Sequence, residues 1–142
     1  MSKRYAKIKR SRLAKNDNNN CSVIATSIAC RVSYFKAHAA CASSGRKDGH
    51  GLSNEGVLLA AERLGCELAP VTNRNGKPLL QKNGSKFTPK TISKRLKSGY
   101  FLCFVHSHVF SVVNGQVEDW TNNRAHHIYE VWRVSVPKGS RS

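Results

Sequence analysis

The sequence predicts an α+β fold, with helices in the first half and an antiparallel sheet in the second. Three observations carry that prediction. Apolar residues recur at helical spacing between Cys21 and Leu64. Strand-length apolar runs follow Gly99, namely Tyr100–Val105 and His108–Val113. Asn114-Gly115 then stands between two such runs, the strongest two-residue hairpin signal a sequence offers. A length of 142 residues suits one domain, and a hydrophobic fraction of 39% supplies one core.

Taken in order, residues 1–15 read as a basic flexible arm, 16–136 as the folded domain and 137–142 as a tail. The polar run Asn16-Asp17-Asn18-Asn19-Asn20 offers N-caps for a helix from Cys21 to Cys30. That helix is apolar on most sides, which implies burial. Ser33 caps a second helix, Tyr34 to Ser43, with Phe35, Ala39 and Ala42 on one face. Gly45, Gly49 and Gly51 punctuate a loop. Ser53 or Asn54 opens a third helix, Glu55 to Leu64, which Gly65 ends. Cys66 to Val71 reads as a short strand, and 73–87 as a long loop or irregular hairpin. Thr88-Pro89 starts an amphipathic helix through Ile92 and Leu96 to Gly99. Strands are expected at 100–105, 108–113, 116–120 and 127–136.

The formal charge of +16 is extreme for this length. Cations cluster in the arm (Lys3, Arg4, Lys7, Lys9, Arg10, Arg12, Lys15) and again between Arg74 and Lys97. Such a field favours polyanions: DNA, RNA or an acidic protein surface. No apolar stretch is long enough to span a bilayer, so no membrane partner is expected. The five cysteines contain no CxxC pair and their count is odd. Three of them sit among apolar residues, which favours a reducing, cytoplasmic setting over a disulfide framework. The polar run before Cys21 separates the basic start from the apolar run, so no secretory signal is expected. No Cys/His spacing fits a structural zinc module, and neither a metal nor another cofactor is expected.

The hairpin fixes a register. An Asn-Gly turn pairs Val113 with Gln116, Val112 with Val117 and Ser111 with Glu118. Extended further, it sets Phe110 against Asp119 and His108 against Thr121. His108 and Asp119 then lie on one face as diagonal neighbours, roughly 7–8 Å apart at the backbone. That distance suits an imidazole–carboxylate hydrogen bond. His106 shares the face if the strand runs on without a break, so it is a second candidate.

A thiol at a helix N-terminus beside an imidazole is the recipe for a nucleophile, because both lower the thiol pKa. Cys21 is the candidate nucleophile, His108 the base and Asp119 the group that orients the ring. The Cys21 amide and one preceding polar side chain would stabilise an oxyanion. Asn16, Asp17 and Asn18 are the candidates. Asn16 or Asn18 is chemically preferable, since an ionised Asp has no side-chain donor.

Two stretches resemble the papain-like cysteine peptidase superfamily in its small phage- and bacteria-encoded forms. They are Asn-Asn-Asn-Cys21-Ser-Val-Ile-Ala and Gly99 through His108 and Asn114-Gly115 to Asp119. The resemblance implies a nucleophile helix packed on a C-terminal antiparallel sheet. It implies cleavage of an amide or isopeptide bond in a protein or peptide through a thioester. Many relatives carry a Gln upstream of the nucleophile, where this chain has only Asn and Asp. The small size and basicity are also similar to accessory proteins of tailed bacteriophages, implying work in a host cytoplasm or a virion. The alternative is a non-catalytic basic scaffold that binds nucleic acid or builds a virion.

Overall fold

The computed structural model describes residues 3–9, 19–47, 49–73, 76, 79–122 and 124–137. Four helices and a first strand come first: α1 (Lys3–Lys9), α2 (Cys21–Cys30), α3 (Tyr34–Ser43), α4 (Asn54–Arg63) and β1 (Glu67–Pro70). A short α5 (Pro89–Ile92) precedes β2 (Tyr100–Val105), β3 (His108–Val113), β4 (Gln116–Glu118) and β5 (Glu130–Ser135). The strands form one antiparallel sheet in the order β1-β5-β2-β3-β4. The fold is therefore α+β, as the sequence predicts.

α2 is the central helix. Every residue from Ser22 to Cys30 is buried and only Cys21 reaches the surface. Its apolar circumference packs on α3, α4 and β3. It ends at Arg31 in the left-handed conformation, and the Arg31 guanidinium lies 3.6 Å over the Tyr100 ring.

Alternation along the strands divides the sheet into two covered faces. Leu102, Phe104, Val109 and Val134 meet Ala25, Ala29 and Val57 on the helical side. Phe101, Cys103, Phe110, Val112 and Val131 meet Ile92, Leu96 and Ile128 on the other. Both faces are buried, which is why β2 reads as an unbroken apolar run and β3 as one interrupted only by His108 and Ser111. The edges are short: β4 has three residues, and β1 ends at Pro70.

The expected hairpin register is the observed one, with Ser111 opposite Glu118, Val112 opposite Val117 and Val113 opposite Gln116. The caps of α3 and α4 are Ser33 and Ser53, accepting from Lys36 N and Gly56 N.

Four expectations need correction. Residues 3–9 of the expected flexible arm form α1, because Tyr5 and Ile8 make one apolar edge that packs into the core beside Val23 and Ile24. The inward face of α3 is Tyr34, Ala37, Ala40 and Cys41; Phe35, Ala39 and Ala42 are exposed. The phase is set by Tyr34, whose hydroxyl takes a buried bond from Asn20. The helix after Pro89 is regular only to Ile92. Gly99 is tied to the hairpin by bonds to and from Asn114, so the chain unwinds through turns to reach it. His106 does not share the His108 face. It sits with Ser107 in a two-residue turn, since Val105 pairs directly with His108. Among the described residues no helix is long and apolar enough to cross a membrane.

Candidate active site

The start of α2 lies against the start of β3. Cys21 is the first helical residue, and Ile24 N–H donates to Asn20 O to close the first turn. The Asn20 side chain makes no capping bond; its Nδ2 donates to the Tyr34 hydroxyl at 3.2 Å. Asn19, at positive φ, donates from Nδ2 to Gly49 O at 2.8 Å. Arg46 is buried and donates from Nε to His50 O and from Nη2 to Asn19 O. The glycine loop and the segment before Cys21 are thereby fastened together. Asn16, Asp17 and Asn18 lie outside the described residues.

His108 links the two halves of the site. Its Nε2 is 2.7 Å from Asp119 Oδ2, and the ring stands close enough to Cys21 to influence the ionisation of the thiol. Asp119 Oδ2 further accepts from Thr121 Oγ1 at 2.6 Å and Thr121 N at 3.2 Å. Asp119 and Thr121 are buried, so the carboxylate cannot swing into solvent. Trp120 covers the ring from the open side, with centroids 5.2 Å apart.

Charge follows from this arrangement. Burial opposes ionisation of the Cys21 thiol, but bonds from His108 and from the Val109 backbone, with the His108 charge, outweigh it and lower the pKa below 9.0. Burial likewise works against the imidazolium, yet the Asp119 and Cys21 bonds raise His108 from 6.5 to about 9. The two directions agree: each group favours the charged form of the other. All five cysteines are free thiols, and Cys30, Cys41, Cys66 and Cys103 are buried. Burial pushes Cys41 and Cys103 upward.

The sulfur opens into a cavity of about 450 Å³ whose walls include Tyr5, Asn20, Ile24, Gly51, Ser107 and Trp120. Tyr5 arrives from α1. Burial, then the nearby Asp119 and Cys21, push its hydroxyl up to about 12, so it stays a hydrogen-bond donor at neutral pH. Among the described residues no group of three or more His, Cys, Asp or Glu is placed to hold a metal.

Cys21, His108 and Asp119 are thus brought together as their spacing suggests. Sequence reasoning did not single out Tyr5, Asn20, Arg46 or Thr121. Tyr5 carried a signal, since Tyr5 and Ile8 are three residues apart among cations. Thr121 carried another, as the register partner of His108.

No protein-family model, curated protein or solved structure matches this chain. The chemistry of the site therefore rests on its own residues.

Proposed function

We propose that the protein is a papain-like cysteine hydrolase that cleaves an amide or isopeptide bond in a protein or peptide. The observation that carries the reading is that Cys21, His108 and Asp119 line one cavity, with His108 bonded at 2.7 Å to a buried Asp119 that Thr121 holds in place.

The Cys21 thiolate attacks the carbonyl carbon, and the carbonyl oxygen takes up the electron pair as an oxyanion. The C–N bond then breaks as the His108 imidazolium gives its proton to the leaving nitrogen. The acyl group remains on Cys21 as a thioester. Neutral His108 next removes a proton from water, whose oxygen attacks the thioester; the acid leaves and the thiolate returns. Asp119, held by Thr121, keeps the imidazole in one orientation throughout. The Cys21 amide is one oxyanion donor at the helix N-terminus. Asn16 and Asn18 remain the candidates for the second, and the Tyr5 hydroxyl is a described donor on the same cavity wall.

A non-catalytic basic scaffold explains the charge but gives the bonded His108–Asp119 pair beside Cys21 no role. The deciding experiment is competitive alkylation of the native protein with iodoacetamide at pH 7, with peptide mapping. Cys21 should label at least tenfold faster than Cys103, and Cys21→Ala should abolish both the fast phase and any peptide or isopeptide cleavage. Equal labelling, or cleavage that survives Cys21→Ala, defeats the proposal.

A further inference from the structure

The excess positive charge has a location. Between Val71 and Tyr129 the only acids are Glu118 and Asp119. Both are buried, one bonded by Arg4 and the other by His108 and Thr121. Their carboxylates are bonded by those partners. Lys82, Lys90, Lys94, Arg95, Lys97 and Arg124 are all exposed.

The fold gathers most of these cations into one strip. Ile92 and Leu96 are buried against the sheet face of Phe101 and Val112, so the intervening residues are turned toward solvent. Lys90 N–H donates to Arg124 O, which puts Arg124 beside Lys90. Arg95 and Lys97 share an open groove with Thr72, Ser98 and Arg133 and with the apolar Pro70, Val71, Leu96 and Phe101. Arg133 is held there over the Phe101 ring, with 4.7 Å between the guanidinium carbon and the ring centroid. The strip thus runs from Arg124 through Lys90, Lys94 and Arg95 to Lys97 and Arg133. It covers the face of the sheet opposite α2, while the Cys21 sulfur opens on the cavity that Tyr5 and Trp120 line.

The chemistry of the strip selects its partner. Protein interfaces are centred on aromatic and apolar anchors. From Lys90 to Ser98 every exposed residue is Lys, Arg or Ser, and Ile92 and Leu96 are buried. The groove also holds Pro70, Val71, Leu96 and Phe101, but Leu96 and Phe101 are buried, and the described residues place no exposed aromatic anchor among the cations. A row of cations with polar donors suits phosphates. We propose that this strip binds the sugar–phosphate backbone of a nucleic acid without reading its sequence. The surface is separate from the Cys21 site and does not depend on its chemistry.

The test is fluorescence anisotropy with a labelled mixed-sequence 20-mer, as single strand and as duplex, from 50 to 300 mM NaCl. Three proteins are compared: the native chain, K90E/K94E/K97E on the strip, and K36E/K47E/R63E on the helical side, which makes the same change in net charge. The strip variant should bind at least tenfold more weakly at 100 mM salt. Its log–log salt slope should be shallower by roughly one per lysine removed. The helical variant should stay within about threefold of native, the range expected of long-range charge alone. Thermal melts establish that both variants are folded. Equal losses in the two variants, or unchanged binding by the strip variant, overturn the proposal. Displacement of the nucleic acid by poly-glutamate of equal charge at equal concentration also overturns it, because the partner is then an acidic polypeptide. Cys21→Ala should bind as the native chain does, which keeps this outcome independent of the hydrolase test.

Discussion

His108 favours ionisation of the Cys21 thiol, and Asp119 favours protonation of His108. The thiol pKa lies below 9.0 and the imidazolium lasts to about 9, so the reactive ion pair occupies the interval between them. Cleavage should follow a bell-shaped pH profile with its upper limb near pH 9. Asp119→Asn removes the charge that raises His108, and its upper limb should move toward 6.5, the ordinary histidine value. His108→Ala should instead move the alkylation midpoint of Cys21 upward and slow labelling at pH 7 by tenfold or more. An alkylation midpoint that is the same in native protein and His108→Ala would mean the ring does not tune the thiol. Thr121 is a positioning residue in this scheme. Thr121→Val removes the 2.6 Å bond to Asp119 and should cost activity threefold to tenfold, about 1 kcal/mol. Thr121→Ser should restore the activity; rescue is the readout that separates positioning from packing. The His108–Asp119 pairing was legible because a two-residue turn and a side-chain period of two leave no freedom in register. Arg46 and Asn20 were not legible, because their partners, Asn19, His50 and Tyr34, come together only in the tertiary structure.

Elements differed in how far local sequence could determine them. α2, α3 and α4 were readable since each carries its own cap or apolar period, and β2 through β4 because turn chemistry fixes them. α1 was read as a loose arm, since seven residues with four Lys or Arg carry little intrinsic helix stability. Its helix depends on tertiary contacts: Tyr5 in the core, and Arg4 Nη1 at 3.1 Å from Glu118 Oε2. The Glu118 side chain is fully buried, whereas that of Arg4 is 52% exposed. An exposed partner weakens the pair itself, but the buried carboxylate loses its cation if α1 detaches. Arg4→Ala should therefore destabilise the protein by about 1–3 kcal/mol, the usual cost of an unsatisfied buried polar group. Adding Glu118→Gln should recover part of that loss, because the neutral amide is less costly to bury unpaired. Urea unfolding of the single and double variants measures both values. A loss under 0.5 kcal/mol, typical of an ordinary surface substitution, would show that Arg4 does not anchor the helix. Tyr5 lines the Cys21 cavity, so Arg4→Ala should also lower activity under conditions where the protein remains folded.

At the scale of the whole molecule, the fold has to hold together against its own charge. Twenty-four Lys and Arg face eight Asp and Glu, and two of those acids are buried in the site and beneath α1. Self-repulsion of this kind opposes compaction. What resists it is a sheet covered on both faces, with Phe101, Phe104 and Phe110 all 1% exposed. Truncating such a phenylalanine to Ala typically costs about 3–5 kcal/mol, a large part of the stability of a domain this size. Composition alone made the imbalance plain, but not its distribution, which depends on Lys90 meeting Arg124 and Arg133 meeting Ser98 across the fold. Screening should then act in the direction opposite to a protein held by surface ion pairs. Raising NaCl from 0.05 to 0.5 M shortens the Debye length from more than 10 Å to about 4 Å. The unfolded chain, being expanded, gains less from this than the compact one. Stability should rise by on the order of 1 kcal/mol, several degrees in Tm. K90E/K94E/K97E lowers the repulsion at its densest point, so its Tm should be higher than native at low salt and should gain less from added salt. A native Tm that falls with NaCl would assign the net electrostatic balance to attraction, and the cationic strip would then have to be neutralised by carboxylates brought to it in the fold.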